Sequence, residues 1–225
     1  VKTRTEILTY AELNNTANWL AQRILTVRGC GAEPIGVLVS KKTALVCAIL
    51  AILKAGKFVV LLDPAFPKAR TSEMLEDSQA RLVIADRENL ALGTELLGPT
   101  GEIMNLELDA TDIPAEEVRV SINSKEFAFI FYTSGSTGDS KGVIQTHRNI
   151  LHNLMLRMKV YNVSEHDRVS LLASGTSNAV INMFLAVLNG AGLFPFDVQI
   201  AGVSSLADWL ARERISICFI SGPLF

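Results

Sequence analysis

Short, mostly apolar runs recur along the chain, each separated from the next by a stretch with helical spacing or capping signals. That alternation limits the fold more than any other feature of the sequence. Ile35–Val39, Phe58–Leu62, Arg81–Ala85, Phe127–Tyr132, Val169–Ala173, Leu193–Phe196 and Ile215–Ile220 read as strands. They are near-continuous apolar runs and do not alternate with polar residues, the signature of strands buried on both faces. Between them, Thr9 and Glu12 have capping-box spacing ahead of a helix whose apolar face is Leu13, Ala17, Leu20, Ala21 and Ile24. Further helices are expected over Thr43–Ala55, ended by Gly56, then through Met74 and Leu75, over His147–Val160 and Asn178–Leu188, and from a capping Ser205 to Arg214. Strand and helix in turn predict an α/β fold of layered, parallel-rich sheets flanked by helices. Gly93 to Asn123, rich in Gly, Pro, Asp and Glu, predicts an irregular connector near 93–123 with an edge strand around Ile103–Leu108, between two sub-sheets. The last strand is followed at once by the end of the sequence, which is expected of a piece of a larger fold.

Composition narrows the possible partners. Of 225 residues 49% are apolar and 20% charged, with a formal net charge of −2, a globular balance. Lys41-Lys42, Lys68 with Arg70, and Arg212 with Arg214 lack interleaved aromatics, so neither nucleic acid nor an anionic membrane is an expected partner. Cys30, Cys47 and Cys218 show no CxxC spacing and read as buried free thiols of a reducing cytosol, not as a metal site. The longest apolar run, Ala44–Leu53, is half of the ~20 residues a membrane span needs. Met155 and Met158 read as core, and Trp19 and Trp209 as packed positions on amphipathic helices.

Phe129–Val143 reads FIFYTSGSTGDSKGV, an apolar strand driven into small and hydroxylated residues and then a lysine. Beyond the carboxyl end of a strand in an open α/β sheet is where ligands bind. Glycines there let several N–H groups converge on an anion. The hydroxyls of Thr133, Ser134, Ser136 and Thr137 add donors, and Lys141 adds a mobile positive charge. A Ser/Thr/Gly cluster also occurs in ordinary solvated turns, and spacing alone leaves both readings open. Three familiar motifs are excluded. Lys141 is preceded by Ser140 and followed by Gly142, which is not a Walker A ending. Neither Ser134 nor Ser136 has a glycine two residues before it, as a nucleophile elbow requires, and the glycine spacing is not G-x-G-x-x-G.

Tyr132–Val143 resembles the phosphate-loop signature of adenylate-forming (AMP-binding) enzymes, which include acyl- and aryl-CoA ligases, luciferases and the adenylation domains of nonribosomal peptide synthetases. Leu8–Leu13, with Asn14, Ala17, Leu20 and Ala21, is similar to the opening helix of the peptide-synthetase adenylation domains. Leu53–Arg70, with Asp63-Pro64, Pro67 and Arg70, is similar to their second signature, and His147 falls where the family often has a histidine. The resemblance covers residues 1–225 as a partial adenylation domain, the first part of the family's large domain.

The resemblance implies ATP as cosubstrate, magnesium whose main ligand is not in this stretch, and activation of a carboxylic acid as acyl-adenylate. The acyl group would pass to a carrier protein's phosphopantetheine thiol or to CoA. Thr133, Ser134, Gly135, Ser136, Thr137, Gly138 and Lys141 carry over as phosphate contacts, with Lys141 stabilising charge. Ser140 departs from the family's usual proline. Amino-acid-activating members place an aspartate against the substrate's α-ammonium at a position matching Ser177 or Asn178. No acidic residue lies between Arg168 and Phe196. An acid without an α-ammonium (fatty, aryl or hydroxy) is therefore expected, with Asn178 as helix N-cap the structural alternative. The stretch carries no Tyr-Gly-x-Thr-Glu segment, so by itself it is expected not to turn over. A non-catalytic nucleotide-binding or interaction module derived from such a domain is the alternative reading.

Overall fold

The computed structural model describes residues 1–106, 116–134, 140–172 and 176–220. The chain forms two compact units, Thr9–Asn149 and Val1–Leu8 with Ile150–Phe225.

The first unit is built on a six-stranded sheet. Its strands are β1 (Pro34–Leu38), β2 (Phe58–Leu61), β3 (Leu82–Ala85), β4 (Glu102–Asn105), β5 (Phe127–Ser134) and β6 (Ser140–Thr146), in the order β4-β3-β1-β2-β5-β6. All neighbours are parallel except β5 and β6, which are antiparallel. The helices are α1 (Tyr10–Arg28), α2 (Lys42–Lys54), α3 (Lys68–Ser78) and α4 (Leu90–Leu97). From β1 the chain moves one way to β2 and then back past β1 to β3. Right-handed crossovers therefore put α2 and α3 on opposite faces. On the α3 face, Leu38, Val60, Leu62, Met74, Leu75 and Val83 form one buried cluster.

Local chemistry explains the element ends. Thr9 receives the N–H of Glu12, and the Glu12 carboxylate receives the N–H of Thr9, closing the expected capping box. Gly56 ends the α2 turn at φ +70°. The start of α2 has no cap of its own. Asp86, 3% exposed at the end of β3, accepts the N–H groups of Ser40 (2.8 Å) and Lys41 (3.2 Å) instead.

Two elements of this unit escape the sequence reading. The connector expected from Gly93 begins inside α4, where the glycine weakened the helical signal. A Cβ at Gly93 would stand 2.4 Å from Ile103 Cδ1, so close packing on β4 accounts for it. Strand β6 occupies the place expected of an irregular link before the next helix. Lys141 and Gly142 are poor strand formers, and the pairing with β5 supplies what propensity does not.

The second unit pairs β7 (Arg168–Leu171) in parallel with β8 (Gly192–Pro195), joined by α6 (Ser177–Val187). Most of α5 (His147–Tyr161), the one-turn α7 (Val198–Ala201) and α8 (Leu206–Arg212) complete it. Several expectations are corrected here. The run Ile215–Ile220 makes a single parallel bridge, Val169 to Ile217, and no extended strand. Ser205 does not cap α8, because its hydroxyl bonds back to the carbonyls of Ala201 and Gly202. Met155 is 57% exposed and lies outside the core. Trp209 packs on Phe196 with ring centroids 4.6 Å apart. Of the thiols only Cys47 is buried; Cys30 is exposed and Cys218 half-buried.

Candidate functional site: a hairpin at the carboxyl edge

Strands β5 and β6 form a hairpin whose open rungs are Tyr132 to Gly142, Thr133 to Lys141 and Ser134 to Ser140. Directly opposed residues of an antiparallel pair present their side chains on one face. The Thr133 hydroxyl and the Lys141 ammonium thus share a face at the end of β5, and both residues are exposed. Gly135, Ser136, Thr137 and Gly138 lie outside the described residues. At its described ends the segment is paired strand, Thr133 with Lys141 and Ser134 with Ser140.

The hairpin is fixed to α3 by Tyr132. Its hydroxyl lies 2.7 Å from Asp77 Oδ2 and 3.1 Å from the Met74 carbonyl oxygen. Burial, and then the Asp77 carboxylate, push the phenol well above its ordinary value. It stays a neutral donor at physiological pH. Gly142 completes the fit, since a Cβ there would stand 3.2 Å from Asp77 Oδ2 and 3.1 Å from Ile130. Beyond β6, the Thr146 hydroxyl receives the N–H of Asn149 at 3.2 Å and opens α5. Half-buried His147 follows, its pKa lowered by desolvation against the weaker opposing pull of Glu126.

The second candidate pair sits at the start of α6, in the other unit. Thr176, not Asn178, is the N-cap: its backbone is extended, and its hydroxyl receives the Ala179 N–H at 3.1 Å. Ser177 and Asn178 are exposed on the first turn. The Asn178 side-chain oxygen Oδ1 accepts from Arg157 Nη2 at 3.1 Å, while Oδ1 of Asn182 and of Asn153 accept from the same guanidinium at 3.1 and 3.0 Å. Arg157 was not legible as a site residue. It lies one helix earlier, and nothing in its spacing links it to residue 178.

The chain matches the family described as AMP-binding enzyme over residues 1–225. It belongs to that family. Tyrocidine synthase 1 of Brevibacillus parabrevis is 34% identical over 215 residues, covering 93% of this chain. Gramicidin S synthase 1 of Brevibacillus brevis is 36% identical over 192 residues, or 84% of this chain. The chain spans only 20% and 17% of those two relatives. Among solved structures, IdnL7 is 27% identical with a TM-score of 0.83, over 99% of this chain and 46% of that one. The N-terminal subdomain of Klebsiella oxytoca NpsA, in complex with 3-hydroxybenzoyl-AMSN, has a TM-score of 0.83 at 24% identity, over 99% of this chain and 55% of that one. The latter likeness speaks for the fold, a mixed α/β architecture with a mostly parallel sheet flanked by helices. The adenylate-forming resemblance read from Tyr132–Val143 is thereby shown.

Proposed function

We propose that this AMP-binding family member is the ATP-binding part of a ligase that activates a carboxylic acid for thioester transfer to carrier-protein phosphopantetheine or CoA. A carboxylate oxygen attacks the α-phosphorus of ATP. The bond to the β-phosphate oxygen breaks, and pyrophosphate leaves with the electron pair. A thiol sulfur then attacks the acyl carbon and AMP leaves. Charge is the obstacle in the first step, since an anion approaches a polyanion and the leaving group gathers more negative charge. Donors fixed before the reaction oppose that build-up without reorganising. Thr133, Ser134, Ser136 and Thr137 supply hydroxyls, Gly135 and Gly138 freedom for N–H groups to converge, and Lys141 the positive charge.

The single observation that carries this reading is the pairing of Thr133 with Lys141 at the carboxyl end of a strand in a parallel sheet. Family membership implies magnesium as well. Among the described residues no three metal-ligating side chains come together.

Thermal melting with ATP, ADP and sulfate tests the assignment. ATP is expected to raise the melting temperature by mass action on the folded state. Lys141→Ala should weaken ATP about tenfold, the loss of one charge-assisted hydrogen bond. An ATP shift that Lys141→Ala leaves intact would remove the phosphate site from this hairpin.

A further inference from the structure

We infer that Asp77 is a positioning residue of the phosphate site: from α3 it pins the rung formed by Tyr132 and Gly142, and so sets where the Lys141 ammonium of the next rung stands. This rests on the adenylating reading above. Successive residues of a strand point to opposite faces of the sheet. Tyr132 and its opposed partner Gly142 face α3, so Thr133 and its partner Lys141 face away from it. Asp77 and Lys141 are therefore on opposite faces, and the influence of one on the other passes through the backbone of a single rung.

The hairpin lacks other directional support at this level. Strand β2 pairs with β5 through Val59 to Phe129 and Val60 to Ile130. From Phe131 to Ser134, about 13 Å of strand, β5 is paired among the described residues with β6 alone. Strand β6 is itself the edge of the sheet. A two-stranded ribbon is marginally stable and twists more freely than a wide sheet. On the face away from α3, Phe131 is buried and stacks on Phe129, an apolar contact that holds the root without fixing a direction.

One oxygen of Asp77 touches both strands. Its Oδ2 accepts the Tyr132 hydroxyl at 2.7 Å, and a Cβ on Gly142 would stand 3.2 Å from the same atom. A hydrogen bond to a carboxylate is short and directional. Neither residue is explained by its own element. Asp77 is exposed in the last turn of α3, which has no basic residue, and a carboxylate there opposes the helix dipole. Gly142 is a poor strand former whose φ is not positive, so the close approach of Asp77 accounts for it and a turn does not.

ATP affinity and melting temperature of the full chain, measured together, test the inference. Tyr132→Phe and Asp77→Ala each remove the bond and are each expected to weaken ATP about fivefold. By charge alone, losing a carboxylate would tighten an anionic ligand, so a loss in Asp77→Ala reports position. In a Lys141→Ala background either change should cost less than about twofold, because both act on one contact. Asp77→Asn, which keeps an acceptor oxygen, should recover most of the loss. A lower melting temperature with ATP affinity unchanged or tighter, losses that add in full to that of Lys141→Ala, or an Asp77→Asn no better than Asp77→Ala would each overturn the role of Asp77 and leave the phosphate site standing. Wild-type chain that fails to bind ATP would instead overturn the adenylating function, and the role of Asp77 with it.

Discussion

Lys57 is 2% exposed, and its ammonium lies 2.8 Å from Glu33. The same carboxylate takes two hydrogen bonds from Arg28, at 2.8 and 3.2 Å. Desolvation alone would raise the Glu33 pKa, yet the hydrogen bonds and charges of Arg28 and Lys57 outweigh it and hold the group below its ordinary value. Removing one partner of a buried pair costs more than the pair is worth, because the other charge stays buried. Glu33→Gln should lower unfolding stability by about 3 kcal/mol, measured by urea titration. Lys57→Met, which removes the buried charge itself, should cost clearly less. Equal losses for the two variants would mean that packing, not charge, governs this corner.

At the scale of elements, we propose that the start of α6 helps to select the acid. Arg157 reaches from α5 to the side-chain amide oxygens of Asn178 and Asn182, which are one turn apart on α6. In that proposed acid site, the guanidinium held beside Asn178 would oppose a substrate ammonium. Pyrophosphate exchange by the protein that carries this segment should therefore respond to aryl, hydroxy or fatty acids. Common α-amino acids should give less than about a tenth of that rate, the factor that an unfavourable 1.4 kcal/mol imposes. Exchange driven chiefly by α-amino acids would reject the reading.

Across the molecule, several carboxylates are held below their ordinary values. Glu33 is joined by Asp167 through the Ser164 N–H and Ser216 hydroxyl, Glu213 through Lys2, and Glu12 through Thr9. His147 is lowered from 6.5 by burial. In every case the unfolded chain binds protons more readily than the folded one, so stability falls as pH falls. The loss should begin as pH drops through 6.5, where an unfolded histidine charges, and steepen below the ordinary carboxylate values of 3.8 to 4.5. Melting temperatures between pH 8 and pH 4 check the sign. His147→Gln should flatten the upper part of the curve and leave the acid limb in place. Among the described residues no helix is long and apolar enough to cross a membrane.

By itself the sequence determined whatever depends on near neighbours along the chain. Buried strands such as Ile35–Val39, the Thr9 capping box, the turn at Gly56 and the family signature at Tyr132–Val143 all follow from side chains a few residues apart. Where a residue's partner is distant in sequence, only the tertiary structure decided. Strand β6 exists because β5 offers it a ladder, α4 keeps Gly93 because β4 packs against it, and α2 is capped by Asp86 from another strand. The partners of Asn178 and the tie between Asp77 and Tyr132 are of the same kind. A lone side chain carries no mark of the charge or hydrogen bond that folding will bring to it, or withhold from it.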